Sequence, residues 1–163
     1  LKYEPFGHEV QAHIIHPHYL KQYNNRWYVL GKNEENNIET WILALDRIKS
    51  VQELQIKYTN SNIDWEDYFS DFIGVTKIGD EKAVEVKLVF SPSQASYLIT
   101  KPLHETQKNK TLADGSLEVR VKLIPNYELT SKLLSFGAGV KVIEPIALKK
   151  EMQKKLQEAF KQY

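Results

Sequence analysis

Apolar and polar residues alternate over 1–6 and again, with interruptions, over 10–23, 26–31 and 38–48. A period of two sends successive side chains to opposite faces, the mark of a half-buried strand. Over 26–31 it puts Trp27 and Val29 on one face and Arg26 and Tyr28 on the other. Over 38–48 it groups Leu43 with Leu45, and Ala44 with Asp46. The expectation is a hairpin with Trp27 in its apolar core and an opposite face of cations and an aromatic hydroxyl. Turn signals separate the strands: Phe6-Gly7-His8-Glu9, the pair Asn24-Asn25, which tolerates positive φ, and the polar stretch 33–37. Pro17 removes a ladder donor, so 10–23 reads as an edge strand or a bulged one. Short strands at close spacing predict a small barrel or sandwich, which 49–55 extends or closes.

Beyond residue 55 the pattern changes. Residues 56–62 are mostly polar and read as a linker. Trp65, Tyr68, Phe69, Phe72 and Ile73 have helical spacing, which predicts a short helix over 64–73 with Asp64 at its start and Gly74 at its end. Alternation returns at Val84, Val86, Leu88 and Phe90. Ser91-Pro92 then opens a helix to about residue 100. Residues 103–111 read as extended, Asp114-Gly115 as a hairpin turn, and 117–123 as a strand. Asn126 caps a helix through 135 that ends at Gly137. A short strand over 140–143, broken by Pro145, precedes a last helix over 146–163 with apolar residues at 148, 152, 156, 159 and 160. The order β-α-β-β-α-β-α predicts an α+β, ferredoxin-like unit. The expected organisation is a barrel over 1–55, a linker with a short helix over 56–82, and an α+β unit over 83–163.

The 163 residues suit one domain or two small ones. The start at Leu1 rather than Met reads as that of a fragment. Cysteine is absent, which removes disulfides, thiolate metal sites and a thiol nucleophile and fits a reducing cytoplasm. No apolar run is long enough to span a membrane. The net charge of +1 excludes a generally basic nucleic-acid binder, but the charge is uneven. Lys and Arg number six against seven Asp and Glu in 1–55, three against six in 56–82, and thirteen against eight in 83–163. His8, His13, His16 and His18 crowd the first eighteen residues, so acidification toward about pH 6 would add positive charge there.

Enzyme chemistry finds little support. There is no Gly-x-Ser-x-Gly elbow and no Gly-rich phosphate loop ending in Lys-Ser or Lys-Thr. His16 and His18 lie two apart and on a strand would share a side, a geometry that suits a metal, with His8 or His13 as a third ligand. Pro17 disturbs that strand, and a place in the polar wall of a small barrel is preferred for both histidines. The carboxylates of 64–71 read as the wet face of a helix, His104 and Gln107 as polar edge residues. Arg120 reads as an outer-face charge or a ligand contact in a dimer groove. No metal and no cofactor is expected.

The run Ile14-Ile15-His16-Pro17-His18-Tyr19-Leu20-Lys21-Gln22-Tyr23, then Asn25-Arg26-Trp27-Tyr28, then Leu45-Asp46-Arg47-Ile48, resembles the WYL domain family. Further matches to the extension that accompanies many of these domains are Phe72-Ile73-Gly74-Val75, Pro102-Leu103-His104-Glu105-Thr106-Gln107, Leu133-Leu134-Ser135-Phe136-Gly137 and Val140-Lys141-Val142-Ile143-Glu144-Pro145. The chain departs from the pattern at Val29, the third letter of the family triplet, and at Ala44, where many members carry arginine. The resemblance implies an Sm-like small β-barrel, then a helical linker and the α+β extension. It implies a sensory part of a bacterial transcription regulator, with operator DNA bound only through a helix-turn-helix outside this chain. Its implied ligand is anionic, a single-stranded nucleic acid or nucleotide, held by His18, Tyr19, Lys21, Arg26, Tyr28 and Arg47. Arg26 and Arg47 would take phosphate oxygens and the aromatics would stack on bases. It further implies a homodimer with no membrane partner. The rival expectations are a protein–protein assembly module and a His-based metal protein.

Overall fold

The computed structural model describes residues 1–79 and 81–163. Asp80, inside the stretch expected as a linker, lies outside the described residues. The chain divides into two units, Leu1–Trp65 and Glu66–Tyr163. The described residues form small sheets and four α-helices, a mixed α+β content.

The first unit is built around the turn at Asn24 and Asn25, both at positive φ (48° and 61°). That is the backbone a two-residue hairpin needs. The strands are β1 (Lys2–Tyr3), β2 (Gln11–Ala12), β3 (Ile15–Tyr23), β4 (Arg26–Asn33), β5 (Ile38–Ala44) and β6 (Ile48–Ser50). They form two antiparallel sheets, β2-β1-β6 and β3-β4-β5. Among the described residues these sheets stay separate in their hydrogen bonding and no closed barrel is made. Tyr3, Val29 and Leu43 form the core between them, with Leu1, Ile15, Trp41 and Ile48 packed around it.

Several expectations are corrected here. The strand expected over 38–48 stops at Ala44, and Leu45–Arg47 forms a 3₁₀ turn. The chain must leave one sheet there to bring Ile48 opposite Tyr3 in the other. Leu45 therefore does not share a strand face with Leu43, nor Asp46 with Ala44. Trp27 is 47 % exposed rather than core. It points the same way as buried Val29, but it lies next to the hairpin turn, beyond the core cluster. The strand expected over 1–6 shrinks to Lys2–Tyr3, and 10–23 splits into β2 and β3. Sheet structure ends at Ser50 rather than at 55.

The ladder between β3 and β4 is bulged between Pro17 and Tyr19, as Pro17 foretells, and His18 is the extra residue. Gly31 faces Pro17 there. A Cβ on Gly31 would run into the His16 carbonyl, so this close approach admits only glycine.

Helix α1 (Trp65–Ser70) spans the division between the units and is shorter than the 64–73 expected. The second unit continues with β7 (Val84–Phe90), α2 (Pro92–Thr100), β8 (Lys108–Thr111), β9 (Leu117–Leu123), α3 (Tyr127–Leu134), β10 (Val140–Glu144) and α4 (Ile146–Phe160). Its four strands are antiparallel in the order β10-β7-β9-β8. Val86, Leu88 and Phe90 of β7 and Val119, Val121 and Leu123 of β9 are buried with Leu98, Leu129, Leu133, Leu148 and Met152 from the helices. The apolar stripe of α4 is buried only over its first half, and Leu156 and Phe160 are exposed. Of the extended stretch expected over 103–111, only Lys108–Thr111 is strand. Gln107 folds the residues before it, accepting from the Leu103 amide at 2.8 Å and donating to the Leu98 carbonyl at 2.9 Å.

Candidate functional site

Directly opposed residues of an antiparallel pair share a face. The register Tyr19↔Leu30, Lys21↔Tyr28, Tyr23↔Arg26 thus collects Tyr19, Lys21, Arg26 and Tyr28 on one face of the hairpin, and Tyr28↔Ala44 carries that face onto β5. Arg47 comes from the 3₁₀ turn. Its guanidinium carbon lies 3.3 Å from the centroid of the Phe6 ring, and that of Arg26 lies 5.9 Å from the same ring. Phe6, expected only as part of a turn, is the aromatic that brings the two arginines together. The signal for it was an aromatic between Pro5 and Gly7 at a turn, where no core demands one. Arg47 Nε is buried with no hydrogen-bond partner.

Asp46 ends within 3.2 Å of Arg26, an ion pair between half-exposed side chains. Asp46 thus serves the strand arginine, not its sequence neighbour Arg47. The cluster offers two planar cations on an aromatic plate, one already engaged by a carboxylate. Guanidinium forks in such a setting suit the oxygens of a carboxylate or phosphate, and an incoming anion competes with Asp46 for Arg26.

His18 and Tyr19 face a second aromatic group. The Tyr19 ring stacks on Trp65, centroids 5.6 Å apart and planes 15° from parallel, and the His18 ring is 6.4 Å from Trp65. His18 Nε2 donates to the Thr59 carbonyl at 2.8 Å, while its Nδ1 is buried without a partner. His16, 3 % exposed, accepts at Nδ1 from the Thr59 amide at 3.1 Å. Its proton therefore sits on Nε2, which donates to Glu34 at 3.0 Å. The Tyr58 hydroxyl donates to the Pro17 carbonyl at 2.8 Å. The stretch expected as a free linker is thus strapped to β3 at Tyr58 and Thr59. Both ring nitrogens of His16 are committed, and among the described residues no group of three His, Asp or Glu side chains is placed to hold a metal ion.

In the second unit Arg120 bonds Glu118 at 3.0 Å and Glu85 at 3.2 Å, and Lys87 bonds Glu118 at 3.2 Å. The bond from Arg120, then that from Lys87, holds the Glu118 carboxyl below its usual range, and Glu118 in turn raises Arg120. Arg120 is therefore an outer-face ion-pair residue. His104 bonds the neighbouring Thr106 hydroxyl at 2.9 Å and Gln107 the chain around it, so both hold their own loop.

The chain belongs to the WYL domain family: a WYL domain matches residues 1–53 and a WCX domain matches residues 82–160. Among solved structures it is similar to Proteasome accessory factor B/C (PafBC) of Arthrobacter aurescens, with 20 % identity and a TM-score of 0.43. That match covers 99 % of this chain and 24 % of the other, so this chain spans about a quarter of that protein's length. No curated protein matches the chain. No helix among the described residues is long and apolar enough to cross a membrane.

Proposed function

We propose that this chain is the ligand-sensing part of a bacterial transcription regulator that works in the cytoplasm by binding and not by catalysis. One observation carries the reading: Arg26 and Arg47, both inside the WYL match, converge on the Phe6 ring. The ligand is anionic, a single-stranded oligonucleotide or a nucleotide. Its phosphate oxygens take the two guanidinium groups, displacing Asp46 from Arg26, and Lys21 adds a point charge. Tyr28, Tyr19 and His18 supply ring faces for the bases. On this reading the two sheets of the first unit are an open form of an Sm-like barrel, and residues 83–163 are a ferredoxin-like extension that pairs two copies. The ligand changes how the copies lie together only if it binds one arrangement more tightly than the other. An upstream helix-turn-helix then binds or releases operator DNA. No metal or cofactor takes part.

Fluorescence anisotropy with short single-stranded DNA and RNA tests this. Binding should weaken steeply with salt, since each phosphate contact releases counterions. It should be lost when Arg26 and Arg47 are both replaced by alanine. Binding that survives the double substitution would refute the site.

A second reading, a protein-assembly module, draws on Leu20 and Trp27. Both are about half exposed on the opposite face of the same hairpin. It predicts no salt-dependent oligonucleotide binding at all, with association of the protein lost in Trp27→Ser.

A further inference from the structure

The first unit contains a concave, mostly apolar cavity of about 450 Å³, a size that suits a small molecule. Its floor is made by Ile15 and Val29 of the hairpin and Ile48 of β6, and its wall by Leu54, Ile56 and Tyr58. None of the six residues of the anion-binding face lines it. The cavity lies under residues 51–58, which leave the sheet after Ser50 and return to it where Tyr58 and Thr59 bond Pro17, His16 and His18. The strap is therefore anchored at both ends, and His16 lines the cavity while holding it. Leu54, Ile56 and Tyr58 are each 42–50 % exposed, an accumulation of apolar surface that folding of the unit leaves unsatisfied.

The charges in the wall discriminate between ligands. No Lys or Arg lines the cavity. Glu53 does, and among the described residues its carboxylate has no ion-pair or hydrogen-bond partner. The Tyr58 ring adds an electron-rich face to the same wall. An apolar anion would meet the Glu53 carboxylate, and the Leu1 ammonium in the same lining already donates to the His13 carbonyl at 2.8 Å. An apolar amine would bury its chain against Ile15, Val29 and Ile48 and set its ammonium group by Glu53.

We propose that this cavity is a second ligand site, separate from the arginine face, that takes a small apolar amine beneath the strap. Because its residues differ from those of the anion site, it stands or falls independently of the reading above.

Isothermal titration of the whole 163-residue chain with phenylhexylamine and with the matched carboxylate, phenylhexanoate, tests it. The amine should bind one to one and at least about fivefold tighter than the acid, the scale of one partly exposed ion pair. Glu53→Gln should erase most of that preference. Leu54→Arg, at a partly exposed position, should abolish amine binding, while Arg26→Ala with Arg47→Ala should leave it unchanged. Equal affinity for amine and acid, no saturable binding, or full binding by Leu54→Arg would each overturn the proposal. Circular dichroism of each variant shows that the fold persists. Should Leu54→Arg unfold, Glu53→Lys serves in its place and should reverse the preference toward the acid.

Discussion

Asp46 and Arg26 meet at 3.2 Å across the start of the 3₁₀ turn, so the carboxylate next to Arg47 in sequence neutralises the other arginine of the cluster. Both side chains are partly exposed, and such a pair contributes little to stability. Its effect is on what the arginines can accept. Replacing Asp46 by Asn removes the competitor and leaves Arg26 beside the Phe6 ring. Oligonucleotide affinity should then rise about two- to fivefold at low salt, and the gain should shrink as salt screens it. Anisotropy titrations of the two proteins across a salt series provide the check. Unchanged affinity would mean that Arg26 does not meet the ligand.

The strap makes a separate prediction. His16 is buried and accepts the Thr59 amide proton, so His16→Leu strands a donor and removes the bond to Glu34. The expected cost is about 1–3 kcal/mol. Local opening should be larger than global loss, because residues 51–58 lie outside any sheet or helix. Amide exchange of Thr59, followed by NMR, should accelerate in His16→Leu by far more than that of Val29 in the core.

Much of this architecture is legible in the sequence, and the failures have common physical causes. Asn24-Asn25, Asp114-Gly115 and Asn126 are local signals: each fixes a turn or cap by its own backbone chemistry, and each turns up where expected. Period-two alternation over 84–90 and 117–123 found strands whose inner residues are wholly buried except Val84, which is 41 % exposed at the strand's end. Trp27 was misplaced because alternation reports which face a side chain takes, not whether anything covers that face. The turn at Leu45–Arg47 was missed because Ile38 to Ile48 keeps a strand-like pattern while the chain changes sheets. Phe6 and the Asp46 partner of Arg26 were out of reach for another reason. They meet the arginines through contacts of long sequence separation, which no local pattern encodes. For the histidine pair a place in the polar wall was preferred over a metal site, but its partner could not be read: both rings bond the backbone of Thr59, forty-odd residues away.

Asn126 ties the start of α3 to the segment before β7. Its Oδ1 accepts the Leu129 amide at 2.9 Å to cap α3, and its Nδ2 donates to the carbonyls of Ile73 at 2.7 Å and Thr76 at 3.0 Å. Asn126→Ala loses the cap and leaves the two carbonyls without this donor, an expected cost of about 2–4 kcal/mol. Asn126→Asp keeps the cap but sets a carboxylate against two carbonyls, so it should recover little of that loss. Urea denaturation of the three proteins would reveal the order. If Asn126→Asp were as stable as the parent, the bonds to Ile73 and Thr76 would have no energetic weight.

The ion-pair ladder on the outer sheet face gives the pH prediction. Glu118 is held below its usual range first by Arg120 and then by Lys87. A carboxyl whose folded value is depressed binds its proton less readily in the folded chain than in the unfolded one. Its contribution to stability is therefore complete above the ordinary glutamate value of about 4.3 and is lost as pH falls through the lower folded value. Glu118→Gln keeps one acceptor oxygen but removes the charge from both contacts at neutral pH, and it has nothing to titrate. The stability gap between parent and variant should stay constant from neutrality to about pH 5, then close as the solution is made more acidic. Denaturation midpoints measured across that range decide it. A gap that persisted undiminished below the depressed value would mean that Glu118 acts through packing, and that its charge, together with those of Arg120 and Lys87, adds nothing to the fold.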